Sequence, residues 1–182
     1  MKKFLVYGIF MLVLLPLQAQ VRFMHSAGAT YLLGLSPDVF IGTAGLTYNP
    51  RIHFGSDNAS IALSTAPTIG FDGAYNSRSG GEGSIVLDLP INLQFHWGLG
   101  ASRDTDKNLG FYGGIGLGYT YMGQASTFIG AYDGSFLGPL FEGGVNFIIY
   151  ERPVGLRAKY MIDTKAENAK VFAVGIMYHF GY

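Results

Sequence analysis

The stretch VFAVGIMYHFGY, Val171 to Tyr182, decides how the rest of the chain is read. Phe172, Val174, Ile176, Tyr178, Phe180 and Tyr182 fall on one parity, and each is large and apolar. Val171, Ala173, Gly175, Met177, His179 and Gly181 fall on the other. A period of two places successive side chains on opposite faces of a strand. One face is therefore greasy and aromatic, the other mostly small or polar. On a soluble sheet such a strand would be an adhesive edge. Ring closure in a bilayer removes the edge and gives the greasy face to lipid.

Working back from this stretch, the chain divides into about eight alternating segments. Each is near the roughly 9–11 residues that a tilted membrane strand needs. The first runs from Gly28 to Leu35 and the second from Gly45 to Phe54. Ile85, Leu87, Leu89, Ile91, Leu93, Phe95 and Trp97 alternate most cleanly, against Val86, Asp88, Pro90, Asn92, Gln94 and His96. Connections are expected at Ser36 to Asp38, Ser56 to Asn58, Tyr75 to Gly83, Arg103 to Asn108, Gln124 to Gly134, Tyr150 to Pro153 and Lys165 to Asn168. Pro67 and Pro90 fall mid-segment, where a missing N–H removes a ladder bond, so bulges are expected there. Aromatic residues gather at both ends of the segments, as the two girdles of a membrane barrel require.

The terminal aromatics Tyr178, Phe180 and Tyr182, with Phe172, make the final segment resemble the closing strand of outer membrane β-barrel proteins. The glycine-rich Gly110 to Tyr121, ending on Tyr119-Thr120-Tyr121, is similar to a central strand of the OmpA/OmpX-like family. That resemblance implies an all-β fold: an eight-stranded, up-and-down antiparallel transmembrane β-barrel in a Gram-negative cell envelope. It also implies insertion by the barrel-assembly machinery, which would read the C-terminal strand.

The one long apolar run, Phe4 to Leu15, follows Lys2 and Lys3 and precedes Pro16-Leu17-Gln18-Ala19. A charged start, an apolar centre and a small residue at the cut mark a secretory signal. Residues 1–19 are read as a cleaved signal peptide and 20–182 as the barrel domain. Without Lys2 and Lys3, the 12 basic and 12 acidic residues become 10 and 12, a formal charge of −2. Nothing in that balance suggests nucleic acid. There is no Cys, so no disulfide or thiol site is available.

The inward parity carries Arg51, Asp72, Asp88, Glu142, Arg157, Lys159 and Asp163. A barrel of eight strands is just wide enough for side chains to fill it. Buried charge without a partner is very expensive, so these residues are read as a structural, salt-bridged plug. Counting back from the Tyr150 to Pro153 connection sets Gly144 opposite Lys159 and pairs Glu142 with Lys159. His53, His96 and His179 face inward at one end and lack the HxH or HxxxH spacing of a metal site. No cofactor, metal ligand or catalytic residue is assigned. Serines considered for an enzymatic rim, Ser60 to Ser64, Ser77, Ser79 and Ser84, have no expected histidine neighbour.

The expected protein is non-enzymatic and monomeric. It meets outer membrane lipid on its wall, and its outer loops are the place for a surface ligand. A small transporter or ligand-binding barrel with a narrow pore is the alternative, and a lipid-modifying enzyme ranks third. Parity of the closing strand is testable by charge. Arg at Ile176 is expected to cost about 2–4 kcal/mol of unfolding free energy if that position lies near the bilayer midplane. On the sequence alone, Ser at Gly175 is expected to be tolerated. Denaturant unfolding in lipid vesicles measures both, and a harmless Ile176→Arg would reverse the parity.

Overall fold

The computed structural model describes residues 20–36, 39–76, 80–125, 132–164 and 169–180. Residues 1–19, Ser77, Ser79, Lys165 to Asn168 and Tyr182 lie outside the described residues. The described residues form nine strands: β1 (Gln20–Ser36), β2 (Val39–Gly55), β3 (Ala59–Thr65), β4 (Thr68–Asn76), β5 (Gly80–Gly98), β6 (Leu109–Ala125), β7 (Tyr132–Ile149), β8 (Arg152–Ile162) and β9 (Lys170–Phe180). Both β3 and β4 pair with β2 and with β5, so they are two halves of one strand. Counted that way, eight antiparallel strands form a ring, which β1 closes on β9 from Leu35↔Lys170 to His25↔Phe180.

Most strands are longer than the sequence suggests. β1 and β2 span 17 residues each and β5 spans 19. β1 begins at Gln20 rather than Gly28, and Tyr75 to Gly83 is mostly ladder, paired to Asn76↔Gly80. Likewise Gln124 pairs with Tyr132 inside the expected Gln124 to Gly134 loop. Hydrophobic alternation marks only the part of a strand that meets lipid. Backbone pairing continues past it wherever a neighbouring strand is still present.

The register winds around the wall. From Phe23 the cross-strand partners are Ile52, Leu63, Leu93, Ile115, Phe141, Tyr160 and Phe172, and the path returns to β1 at Leu33. Each row therefore climbs from the rim holding Gln20 and Phe180, called the terminal rim below. This offset is what tilted strands in a closed barrel produce. Every residue on the path is apolar or aromatic and faces outward. Trp97 stacks on its cross-strand partner Phe111, with ring centroids 6.3 Å apart, near the terminal rim. Tyr160 and Phe172, 4.7 Å apart, lie towards the other rim.

The expected bulges at Pro67 and Pro90 do not form. Thr65 pairs with Ile91 and Thr68 with Asp88, so no residue is inserted between β3 and β4. The ladder is interrupted and side chains bridge the gap. Thr65 Oγ1 donates to the Pro90 carbonyl at 2.7 Å, Thr68 Oγ1 to the Ala66 carbonyl at 3.2 Å, and Tyr48 N to the Pro67 carbonyl at 3.1 Å. A hydroxyl supplies what a proline cannot, and the register survives.

The β7–β8 connection is shorter than Tyr150 to Pro153. Ile149 pairs with Arg152, leaving only Tyr150 (φ 47°) and Glu151 (φ 62°) in the turn, and Pro153 belongs to β8. Two consecutive left-handed residues define the type I′ turn, which matches strand twist but favours Asn-Gly. Neither residue here is a glycine, so the turn is strained. Replacing Tyr150-Glu151 by Asn-Gly is expected to raise unfolding free energy by about 1–2 kcal/mol. Denaturant unfolding checks this, and a loss of stability would show that the two side chains outweigh the backbone strain.

Candidate functional site: the barrel interior

Three layers fill the interior. Away from the terminal rim, Leu32, Val86, Met122, Phe136, Leu140, Met161 and Val171 form a buried apolar cluster with Ala169 and Ala173. A glycine makes room for it: a Cβ on Gly118 would stand 2.6 Å from Met161 Sδ and 3.0 Å from Leu140 Cδ2. Next comes a hydroxyl ladder across the wall, Thr30 to Thr47 at 2.6 Å and Thr47 to Thr68 at 2.7 Å.

The charged layer lies beside it. Lys159 Nζ donates to both oxygens of Asp88 at 2.5 Å, and Thr120 Oγ1 donates to Asp88 Oδ1 at 2.6 Å. Arg157 donates to Glu142 Oε2 at 3.1 Å. Asn92 donates to the same oxygen at 2.8 Å and Gln94 to Oε1 at 3.1 Å. All four charged groups are buried, with side chains at most 1% exposed. Desolvation makes such charges tolerable only when each has a partner.

The expected Glu142–Lys159 pair is corrected here. Glu142 lies directly opposite Lys159, and Gly144 opposite Arg157. Counting from a two-residue turn, rather than a four-residue one, shifts the register by two positions. Each charge then takes a different partner, Lys159 reaching across the lumen to β5. Gly144 and Gly175 flank Arg157, not Lys159. A Cβ on Gly175 would stand 2.7 Å from Thr30 Oγ1 and 2.8 Å from the Ala29 carbonyl. Ser at Gly175 therefore crowds the β1–β9 closure, contrary to the tolerance that parity suggests.

The other residues of the inward set take separate places. Arg51 donates to His179 Nδ1 at 2.8 Å, and His179 Nε2 donates to Asn146 Oδ1 at 3.0 Å. Asp163 lies at the opposite rim, where its carboxylate accepts the Leu137 N–H at 2.7 Å. Asp72 is in β4, and its side chain lies outside the described residues. In the closing strand, Phe172 and Phe180 are exposed on the outer face and Tyr178 is half-buried.

A third layer was not legible in the sequence. The β5–β6 connection, read as a polar turn from Arg103, begins earlier and folds inward, burying Leu99, Ala101 and Ser102. Gly98 (φ 72°) and Gly100 (φ 95°) allow the reversal. Ser60 Oγ donates to the Ala101 carbonyl at 2.9 Å and Asn146 Nδ2 to the Leu99 carbonyl at 3.0 Å. Arg103 reaches the Phe23 carbonyl of β1 at 2.8 Å. The connection is thus a floor across the terminal rim. Apolar Leu99 and Ala101 beside Gly98 and Gly100 were the available signal.

Two of the three histidines meet: the His53 and His96 rings are 4.7 Å apart, and His96 stacks on Tyr112 at 4.9 Å. Among the described residues no group of three or more His, Cys, Asp or Glu could hold a metal. Ser60 does have a histidine neighbour, since His53 Nδ1 lies 2.9 Å from its Oγ. The hydroxyl proton is committed to the Ala101 carbonyl, and the pair is buried beneath the floor. That arrangement ties the floor down and does not activate a nucleophile. The Ser84 side chain lies outside the described residues.

A double-mutant cycle tests the pairing. Asp88→Leu or Lys159→Met alone is expected to cost about 3–5 kcal/mol, and the two together far less than their sum. Glu142→Leu with Lys159→Met should couple more weakly. Unfolding free energies in detergent or vesicles decide between the two patterns, and the reverse order would restore the Glu142–Lys159 pair.

No protein-family model matches the sequence, and no curated protein does either. Solved structures do match. Ail, the attachment invasion locus protein of Yersinia pestis, in complex with the heparin analogue sucrose octasulfate, has a TM-score of 0.56 at 17% identity, over 87% of this chain and 97% of Ail. Neisserial surface protein A gives 0.49 at 13% identity, over 90% of this chain and 99% of its own. The outer membrane protein OprG from Pseudomonas aeruginosa gives 0.47 at 16%, over 88% and 96%. The likeness to Ail, together with the closed ring and the apolar outer wall, identifies the fold: the chain has the eight-stranded antiparallel β-barrel fold of small outer membrane proteins.

Proposed function

We propose that the protein is a non-enzymatic outer membrane barrel with a structural or surface-contact role and an interior that does not conduct. The observation that carries this reading is the filling of the lumen. An apolar cluster lies towards one rim, paired charges occupy the middle, and the inward-folded β5–β6 connection crosses the terminal rim. An ion entering from either side meets apolar side chains or carboxylates already neutralised by Lys159 and Arg157. Dehydrating it there would cost far more than thermal energy supplies.

The partner of the outer wall is membrane lipid, and a surface ligand would be met by the connections at the rim away from the chain ends. The closing strand, with Phe172, Tyr178 and Phe180 on its outer parity, is what the barrel-assembly machinery would read. Closure of the ring within one chain supports a monomer as the working unit.

Single-channel recording on the refolded protein in planar bilayers tests the reading. The expected record is silent, without discrete conductance steps at physiological salt. Steady, reproducible steps from the wild-type protein would replace this reading with that of a narrow-pore transporter.

A further inference from the structure

His25 is a polar side chain on the lipid-facing parity of β1, where Val21, Phe23 and Tyr31 also face outward. It is half-buried among aromatic rings, with centroids 5.7 Å from Phe23, 6.0 Å from Tyr48 and 5.3 Å from Phe180. Tyr48 Oη lies 3.2 Å from its Nδ1, and the described residues hold only that nitrogen. With the phenol donating, the imidazole proton sits on Nε2. Hydrocarbon offers that N–H no acceptor, and an unmatched donor on a barrel wall is strongly unfavourable.

A groove of about 350 Å³ begins beside it. Pro50, the cross-strand partner of His25, lines the groove with Phe23, Ile52, Leu63, Thr65 and Ile91. The groove follows the interrupted stretch of wall, where Thr65 turns its hydroxyl to the Pro90 carbonyl. Because register rows climb from β1 towards β5, it rises from the level of His25 towards the middle of the wall. A cation contacts the backbone of Phe23, which lines its lower end. Arg103, from the floor, donates to the carbonyl of Phe23, the next outward-facing position towards the terminal rim.

We propose that His25 and this groove form a binding site for one phospholipid of the surrounding membrane. The Nε2–H and Arg103 hold the lipid phosphate, and one acyl chain lies along the groove. The chemistry divides as such a ligand does, with a donor and a cation at the rim end and a mostly apolar surface above them, where Arg51 and Ser64 also contribute to the lining. The leaflet on the terminal-rim side supplies the occupant.

Native mass spectrometry of the refolded protein, released from detergent micelles with added dioleoyl phosphatidylglycerol, tests the site. Wild type should retain one phosphatidylglycerol, and His25→Phe should bind it roughly tenfold more weakly or worse, the weight of one hydrogen bond to an ionised acceptor. Arg103→Gln should weaken it as well. Dioleoylglycerol, which lacks the phosphate, and glycerol phosphate, which lacks the chains, should not be retained. Heat-dependent electrophoretic mobility establishes that each variant is folded. If His25→Phe does not fold, Tyr48→Phe, which frees the imidazole, is held to the same direction of change. Equal retention by wild type and variant, no retention by wild type, or equal retention of either fragment would overturn the proposal.

Discussion

Every N–H and C=O in a lipid-embedded wall must find its partner inside the chain, because hydrocarbon supplies none. Pairing of β1 with β9 meets that requirement for the two strands that would otherwise be edges. The prolines show how strict the constraint is. Pro67 and Pro90 each remove a donor at one place in the wall, and the register passes through unshifted because Thr65, Thr68 and Tyr48 take up the carbonyls. At the other rim the Asp163 carboxylate serves the Leu137 N–H, close to Pro139. A bulge would have moved every following side chain to the wrong face.

Closure also fixes the cross-section, and a narrow lumen alters who pairs with whom. In an open sheet a charge looks first to its cross-strand neighbour. Inside this barrel the facing wall is within reach of a long side chain, so Lys159 on β8 reaches Asp88 on β5 while Glu142, directly opposite it, collects Arg157, Asn92 and Gln94. Glycine on the inward parity makes these reaches feasible. A Cβ on Gly144 would stand 2.4 Å from the Tyr112 ring, so a side chain there would displace the aromatic that stacks on His96. A filled lumen follows, and it is the basis for reading the barrel as a scaffold and not a conduit.

Outside, the same alternation gives a wall made for lipid, broken by few polar groups. His25 is one of them, beside the stretch of wall that the prolines thin. Coincidence of a polar donor, a cation and an apolar groove is what gives the outer surface a chemical address, distinct from uniform solvation by acyl chains.

Fold class, strand parity, the lipid-facing set and the inward set were determined by the sequence, because a period of two is a local property that tertiary context cannot invert in a closed barrel. Phe172, Val174, Ile176 and Phe180 are outward, and Val171, Ala173, Met177 and His179 inward, as alternation requires. Strand length, register and partner choice were decided only in three dimensions. The β7–β8 register depended on Tyr150 and Glu151 adopting left-handed backbone, which neither residue type announces. The floor depended on Leu99 to Ser102 folding under the ring, which becomes favourable only once Ser60 and Asn146 stand ready with side chains for its carbonyls. Alternation fixes which way a side chain points. What it touches depends on the distance across the lumen, which exists only after the ring has closed.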